Sequence, residues 1–347
     1  MQVVLGPEET LGRGYSCDIA VDHKTGEPHI IWEDLEGHLL HSQRAEEGWQ
    51  EPERIEVGLP VGATAVHRAG AVAMTIGPDG GVHACFIANN GIYHVRQTEG
   101  GWSEPTLICQ GTDQVGLAWP SLVGTSDGQL HVIFERGHHA HHCHFDGANW
   151  SSPQRIDREN VSSHAWDIIV DSDGNPHLVF HARRGENSEG YYATMADGEW
   201  RVTRITEEEH WVDCPGLAID PDGKFHVVWT ILEEVEAGRM KYSELGEPHI
   251  LTGDLVPVET QAHNFTRLLC DARGILYAFL PRRFPPKLVV RAEGGWLPVV
   301  ALGGEKQGFW FLEADVHGTD VHAVYSCWRQ YETITPITYR TVTCEPE

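Results

Sequence analysis

Short runs of apolar residues alternating with polar ones recur along the whole chain, each closed by a turn rich in Asp and Gly. A period of two marks half-buried strands, and no segment sustains the period of an amphipathic helix. One phrase returns seven times: an apolar strand, an Asp/Gly turn, then usually a His that opens a second apolar strand. It reads DIAVDHKTGEPHIIW in the first copy, LVGTSDGQLHVIF in the third and LAIDPDGKFHVVW in the fifth. The turn glycines are Gly26, Gly80, Gly128, Gly174, Gly223, Gly274 and Gly318. A self-similar spacing of roughly 50 residues is the mark of a repeat architecture.

Each copy continues alike. A third strand carries His41, His94, His142, Tyr192 or Tyr242, and a turn ends in Trp49, Trp102, Trp150, Trp200 or Trp296. A fourth strand follows in phrases such as EPERI and SPQRI. Four short antiparallel strands per repeat predict the blade of a β-propeller. The seventh copy supplies three strands only, so Gln2–Leu5 is expected to provide the missing one and close the ring without an open edge. The fold predicted is all-β: a seven-bladed β-propeller of four-stranded antiparallel blades, one domain spanning residues 1–347.

The repeat also absorbs much of an unusual composition of 22 His and 12 Trp. His29, His83, His131, His177, His226 and His322 share one repeat position. A residue needed once per blade is expected to serve the fold, here by hydrogen bonding within or between strands. The recurring Trp residues are expected to pack between blades. Asp79, Asp127, Asp173 and Asp222 precede turn glycines and read as turn formers.

Charge and cysteine usage narrow the partners. Asp and Glu number 51 against 25 Lys and Arg, a net charge of −26. Such a chain is a poor ligand for a nucleic-acid backbone or an anionic lipid surface. No apolar run is long enough to span a bilayer as a helix. The eight Cys form no C-x-x-C pair, which argues against a zinc ribbon or dithiol motif and for reduced thiols. The start, MQVVLGP, has neither a basic region nor an apolar core. A cytoplasmic location is therefore expected, although a trimmed leader would leave the same appearance. The expected partner is a small molecule or oligosaccharide, with the oligomeric state left open.

In a propeller, the segments entering each blade and the loops after each second strand converge on the axial channel. A functional residue should lie there and break the repeat. The entry segments hold His67, Arg68, Trp119, His164, Trp166, His210, Trp211, Asp213, His263, Asn264 and Trp310. The loops hold Arg136, His138, His139, His181, Arg183, Arg184, Arg282, Arg283, Trp328, Arg329 and Tyr331. Aromatic planes suit a sugar ring and Arg forks suit a carboxylate, sulfate or phosphate. Arg136, His138, Arg184, His263, Arg282 and Arg329, with Trp119, Trp166, Trp211 and Trp310, are the candidates for binding substrate.

Two chemistries use the histidines. As acid–base groups they suit a uronate lyase, with His164 and His181 as base and partner. Arg136, Arg184 or Arg282 would neutralise the substrate carboxylate, and Tyr331 or His210 would protonate the leaving oxygen. Alternatively, His164, His181, His210 and His263 would meet as neutral ligands of a divalent metal. The run ERGHHAHHCHFDG carries five His, but His142 falls on the third-strand repeat position and strand alternation separates it from His141. A lectin-like module would repeat its binding residues in most blades, whereas these differ blade by blade. An interaction scaffold is the remaining reading.

The phrases D-x-D-G-x-x-H-x-x-[FW] and G-x-W-S-x-P resemble the BNR-type, sialidase-superfamily propellers, and the resemblance covers all seven repeats. Seven-bladed members include ulvan lyases and related glucuronate lyases, and a rhamnosidase. The resemblance implies a carbohydrate-active enzyme with His, Tyr and Arg around a central channel. It places His164, His181 and Arg184 at comparable blade-top positions.

Overall fold

The computed structural model describes the chain apart from residues 63–69, 112–116, 158–161, 235–236, 247–249, 261–265, 283, 294, 304–308, 329–335 and 347. Within strands, the side chains of 165–166, 196, 214, 234, 237, 259–260, 281–282, 284–285, 309–310 and 327–328 are likewise outside the description.

Among the described residues every regular element is a β-strand, and the strands form antiparallel sheets in sequence order. Units 1 to 7 below are the seven sequence repeats. Their first strands are Glu9–Val21, Val72–Ile76, Leu117–Gly124, Ser163–Val170, Trp211–Ile219, Arg267–Cys270 and Phe309–His317. Their second strands are Pro28–Asp34, Val82–Ala88, Leu130–Arg136, Pro176–Arg184, Phe225–Glu234, Leu276–Arg282 and Asp320–Trp328. Units 2 to 6 are separate sheets of four or five strands, and units 7 and 1 are joined into one sheet of nine. The joint is Glu9–Val21. Its first half pairs with Pro336–Glu345 of unit 7 and its second half with Pro28–Asp34. Gln2–Leu5 also pairs antiparallel with Pro336–Glu345, the partnership the three-stranded seventh repeat calls for. No sheet closes on itself among the described residues.

The first strands pack side by side in chain order, and that of unit 7 packs against that of unit 1. Apolar burial follows the same path, because each face of a four-stranded sheet needs a neighbour. Consecutive units share buried clusters, such as Ile133, Ile156, Ile168 and Phe180 between units 3 and 4. A further cluster of Cys17, Ile30 and Trp32 with Phe311, Val324 and Tyr339 joins unit 1 to unit 7. The architecture is propeller-like.

The repeat histidines serve this fold. Nδ1 of His29, His83 and His131 lies 3.1, 3.0 and 2.9 Å from Nε2 of His41, His94 and His142 on the third strand. In later units Tyr replaces the third-strand His: His226 meets the Tyr242 hydroxyl at 2.9 Å and His322 that of Tyr339 at 2.8 Å. Recurring Trp residues then pack edge-on against that third-strand ring of the preceding unit. Trp102 meets His41, Trp150 meets His94 and Trp200 meets His142, at ring separations of 5.3, 5.3 and 5.0 Å. Trp49 of unit 1 makes the same contact with Tyr339 of unit 7 at 4.9 Å.

Candidate active site

A cavity of about 630 Å³ is lined by the first strands of all seven units. The position two residues on from the repeat His (Tyr277 in unit 6) across the hairpin varies between units. It is Asp18 and Asp167 in units 1 and 4, and Ala73, Ser121, Gly216, Arg267 and Glu313 in the others. Of these, Asp18, Ser121, Asp167, Arg267 and Glu313 line the cavity. The carboxylates here clip neighbouring units together. Asp18 accepts the Met74 N–H at 2.7 Å, Asp167 accepts that of Leu217 at 3.0 Å, and Asp315 accepts that of Val21 at 2.8 Å. Arg267 donates to Asp167 at 2.5 Å. Burial would weaken the hold of Arg267 on its proton, but Asp167, Glu313, Asp315 and Asp18 more than offset it and keep it charged. Burial also raises the carboxyls of Asp18 and Glu313 well above the usual range.

Above this wall the first strands of units 1, 3, 4 and 5 each carry a β-bulge with one extra residue. It falls between Gly14 and Cys17, Ala118 and Ser121, Ala165 and Asp167, and Asp213 and Gly216. A bulge bends the strand and re-aims side chains. Trp119 lies in one of them with φ of 47°, a left-handed conformation that costs a bulky residue of order 1–3 kcal/mol. Its indole packs over Gly70, where a Cβ would come within 2.6 Å of Cδ1, and the same side chain lines the cavity.

Beyond the bulges sits a polar array built from three units. His164 and His181 are direct cross-strand partners in unit 4, with ring centroids 5.1 Å apart. Nδ1 of His164 lies 2.6 Å from Oε2 of Glu135 in unit 3. Nδ1 of His181 lies 3.3 Å from Oδ1 of Asp213 in unit 5. Glu135 is 5% exposed and Asp213 fully buried, so each carboxylate requires such a partner. The two contacts are inverted versions of one another. At the first interface the second strand supplies the carboxylate and the next first strand the imidazole; at the second interface these roles exchange. The Trp119 ring stands edge-on to His164 at 6.1 Å, placing the array at the rim of the cavity.

Among the residues singled out in the sequence, His164, His181 and Trp119 come together. His138, with φ of 65°, is exposed beside them, its Nδ1 3.4 Å from Oε1 of Glu135. Arg136 acts instead on Cys109, Cys143 and His141, on the other face of its strand from Glu135. Arg184 is exposed at the end of its strand and lies within electrostatic reach of Glu189. His210 is exposed and Trp211 half-buried at the start of the unit 5 first strand. Trp166, Arg282 and Trp310 lie in strands whose side chains at these positions are outside the description. His263, Arg329 and Tyr331 lie outside the described residues altogether.

His164, His181 and His210 do not form a three-donor group. Among the described residues the one such group is Asp34, Glu36 and His38, on the exposed hairpin after the second strand of unit 1. Glu135 was not singled out from the sequence, and Asp213 was noted only as an entry residue. A signal existed for both: each places a charge in an otherwise apolar strand, LHVIFER and WVDCPGLAI, where burial demands a counterpart.

No protein-family model matches the chain, and no characterised protein matches it in sequence. Solved structures do match in shape. An ulvan lyase of a polysaccharide lyase family, bound to -[GlcA(1-4)Rha3S]-, superposes with a TM-score of 0.65 at 12% identity, over 97% of this chain and 95% of that one. Polysaccharide lyase Uly1 gives 0.62 at 12% identity, over 95% and 90%. A puromycin hydrolase gives 0.62 at 16% identity, over 94% of this chain and 52% of that one. At these identities the likeness is one of fold.

Proposed function

We propose that the protein is a carbohydrate-active lyase cleaving a uronate-containing oligosaccharide at one site on the rim of the central cavity. The scaffold in this reading is a single seven-bladed propeller of the BNR, sialidase-superfamily type, closed by its N-terminal strand. The observation that carries the proposal is the Glu135–His164/His181–Asp213 array beside Trp119. The lyase neighbours support it, one of them bound to an oligosaccharide containing GlcA.

In this mechanism Nε2 of His164, the more exposed of the two rings, removes the proton α to the uronate carboxylate. The electron pair left on that carbon forms a double bond to the adjacent ring carbon. The glycosidic C–O bond on the adjacent carbon breaks, and its oxygen receives a proton from Tyr331 or His210. Arg184 or Arg282 neutralises the substrate carboxylate, which makes the C–H acidic enough to lose its proton. Trp119 offers an aromatic plane to the sugar.

The metal reading has support in one feature, since a carboxylate at Nδ1 is how metal-bound imidazoles are oriented. The described residues bring no third donor to the pair, and the acid–base reading is favoured. The test is to incubate the protein with glucuronate- and iduronate-containing oligosaccharides and follow ultraviolet absorbance of an unsaturated uronate end. Its appearance supports the reading, and its absence across the panel overturns it. Metal analysis of untagged protein tests the alternative directly.

A further inference from the structure

The inverted pairing of His164 and His181 with their carboxylates has a chemical consequence. A buried ionised carboxylate only accepts hydrogen bonds. Glu135 at 2.6 Å therefore requires the proton on Nδ1 of His164, leaving Nε2 with a lone pair. Nδ1 of His181 faces Asp213 at 3.3 Å, an arrangement that favours the same tautomer. The charged and titratable groups facing the two rings include Glu135 and His138 from the second strand of unit 3 and its turn, and Asp213 from the first strand of unit 5. The Ser162 hydroxyl lies 3.4 Å from Nε2 of His164, where it can donate to the lone pair.

We propose that Glu135 and Asp213 are positioning residues, which fix both imidazoles as Nδ1–H tautomers. The inference rests on the lyase reading for its catalytic meaning but not for its geometry. The shorter, charge-assisted contact makes Glu135–His164 the stronger of the two dyads. It supports the imidazolium formed when the proton is taken, as the buried carboxylate does in a Ser-His-Asp triad. His181, 4% exposed, packs behind it.

The experiment is long-range nitrogen–proton NMR on the full chain labelled at histidine, with the two rings assigned through His164→Asn and His181→Asn. Wild type should show both rings as Nδ1–H tautomers near neutral pH. Glu135→Gln should mix the tautomers of His164. Asp213→Asn should do the same to His181. Glu135→Asp, which keeps the charge, should restore the tautomer in part. On a substrate identified as above, Glu135→Gln should lower kcat about 10- to 100-fold with little change in KM. Nε2–H tautomers in wild type, or unchanged spectra in Glu135→Gln, would overturn the inference. If the spectra behave as expected while no oligosaccharide is cleaved, the positioning stands and the lyase reading falls.

Discussion

Trp49 and Tyr339 lie 290 positions apart in the chain, yet their rings meet edge-to-face at 4.9 Å. The same contact joins consecutive units elsewhere, so this pair does for the two ends what Trp102 and His41 do for neighbours. Trp49→Ala removes both the aromatic contact and the area it covers. It should cost about 2 kcal/mol, read as a lower urea midpoint with an unchanged slope. No change in midpoint would show that the ends contribute little.

Asp167 is buried and joins Arg267 to the Leu217 backbone. Asp167→Ala strands both a guanidinium and an N–H against the cavity wall. The expected loss is about 3 kcal/mol, with much of it recovered in Asp167→Ala/Arg267→Met. A double-mutant cycle on purified protein measures the coupling.

Burial holds His29 and His131 down to about 4 and His94 to about 3. The unfolded chain titrates near about 6.5, so it binds more protons through that window. The stabilisation is therefore complete above about pH 6.5 and drains as pH falls through the folded values. Thermal unfolding should shift downward from neutral pH to about pH 4. His94→Gln should be less stable at neutral pH but show a shallower acid slope.

Glu313 runs the other way. Its folded carboxyl is raised by burial and by Asp18, so its contribution is present below the unfolded value and lost as pH rises through the folded one. Glu313→Gln should match wild type near pH 4 and exceed it at pH 9, by at least about 1 kcal/mol. Denaturation at the two pH values compares them.

Trp119 is held in a left-handed bulge with its ring beside His164. On a substrate of the proposed lyase activity, Trp119→Ala should raise KM about tenfold, with a smaller fall in kcat. Quenching of Trp fluorescence by unreactive oligosaccharide should weaken in parallel.

The repeat and the structural role of the repeat histidines were legible because each recurs, and the strand pairing at the N-terminus because the seventh copy lacks a strand. His29 and its counterparts stand one per unit, and a period needs no partner in the sequence to be seen. The candidate site was legible only in part, because it depends on differences between units. His164 and His181 stand out as departures from the repeat. Glu135 occupies the position held by Glu33, Ile87, His181, Thr230 and Ser326 in other units, and nothing local tells that it faces His164 across a unit boundary. Arg136, one residue on, turns to the opposite face, so a loop rich in Arg and His overstated what reaches the rim.

The extra residue in four of the first strands separates two demands on the same segment. Below it, side chains keep the register that locks neighbouring units; above it, the phase starts afresh. New chemistry can therefore be written into the upper stretch of one unit without re-threading the wall beneath, and a variant library confined to positions above the bulges should retain foldability while sampling new reactivity.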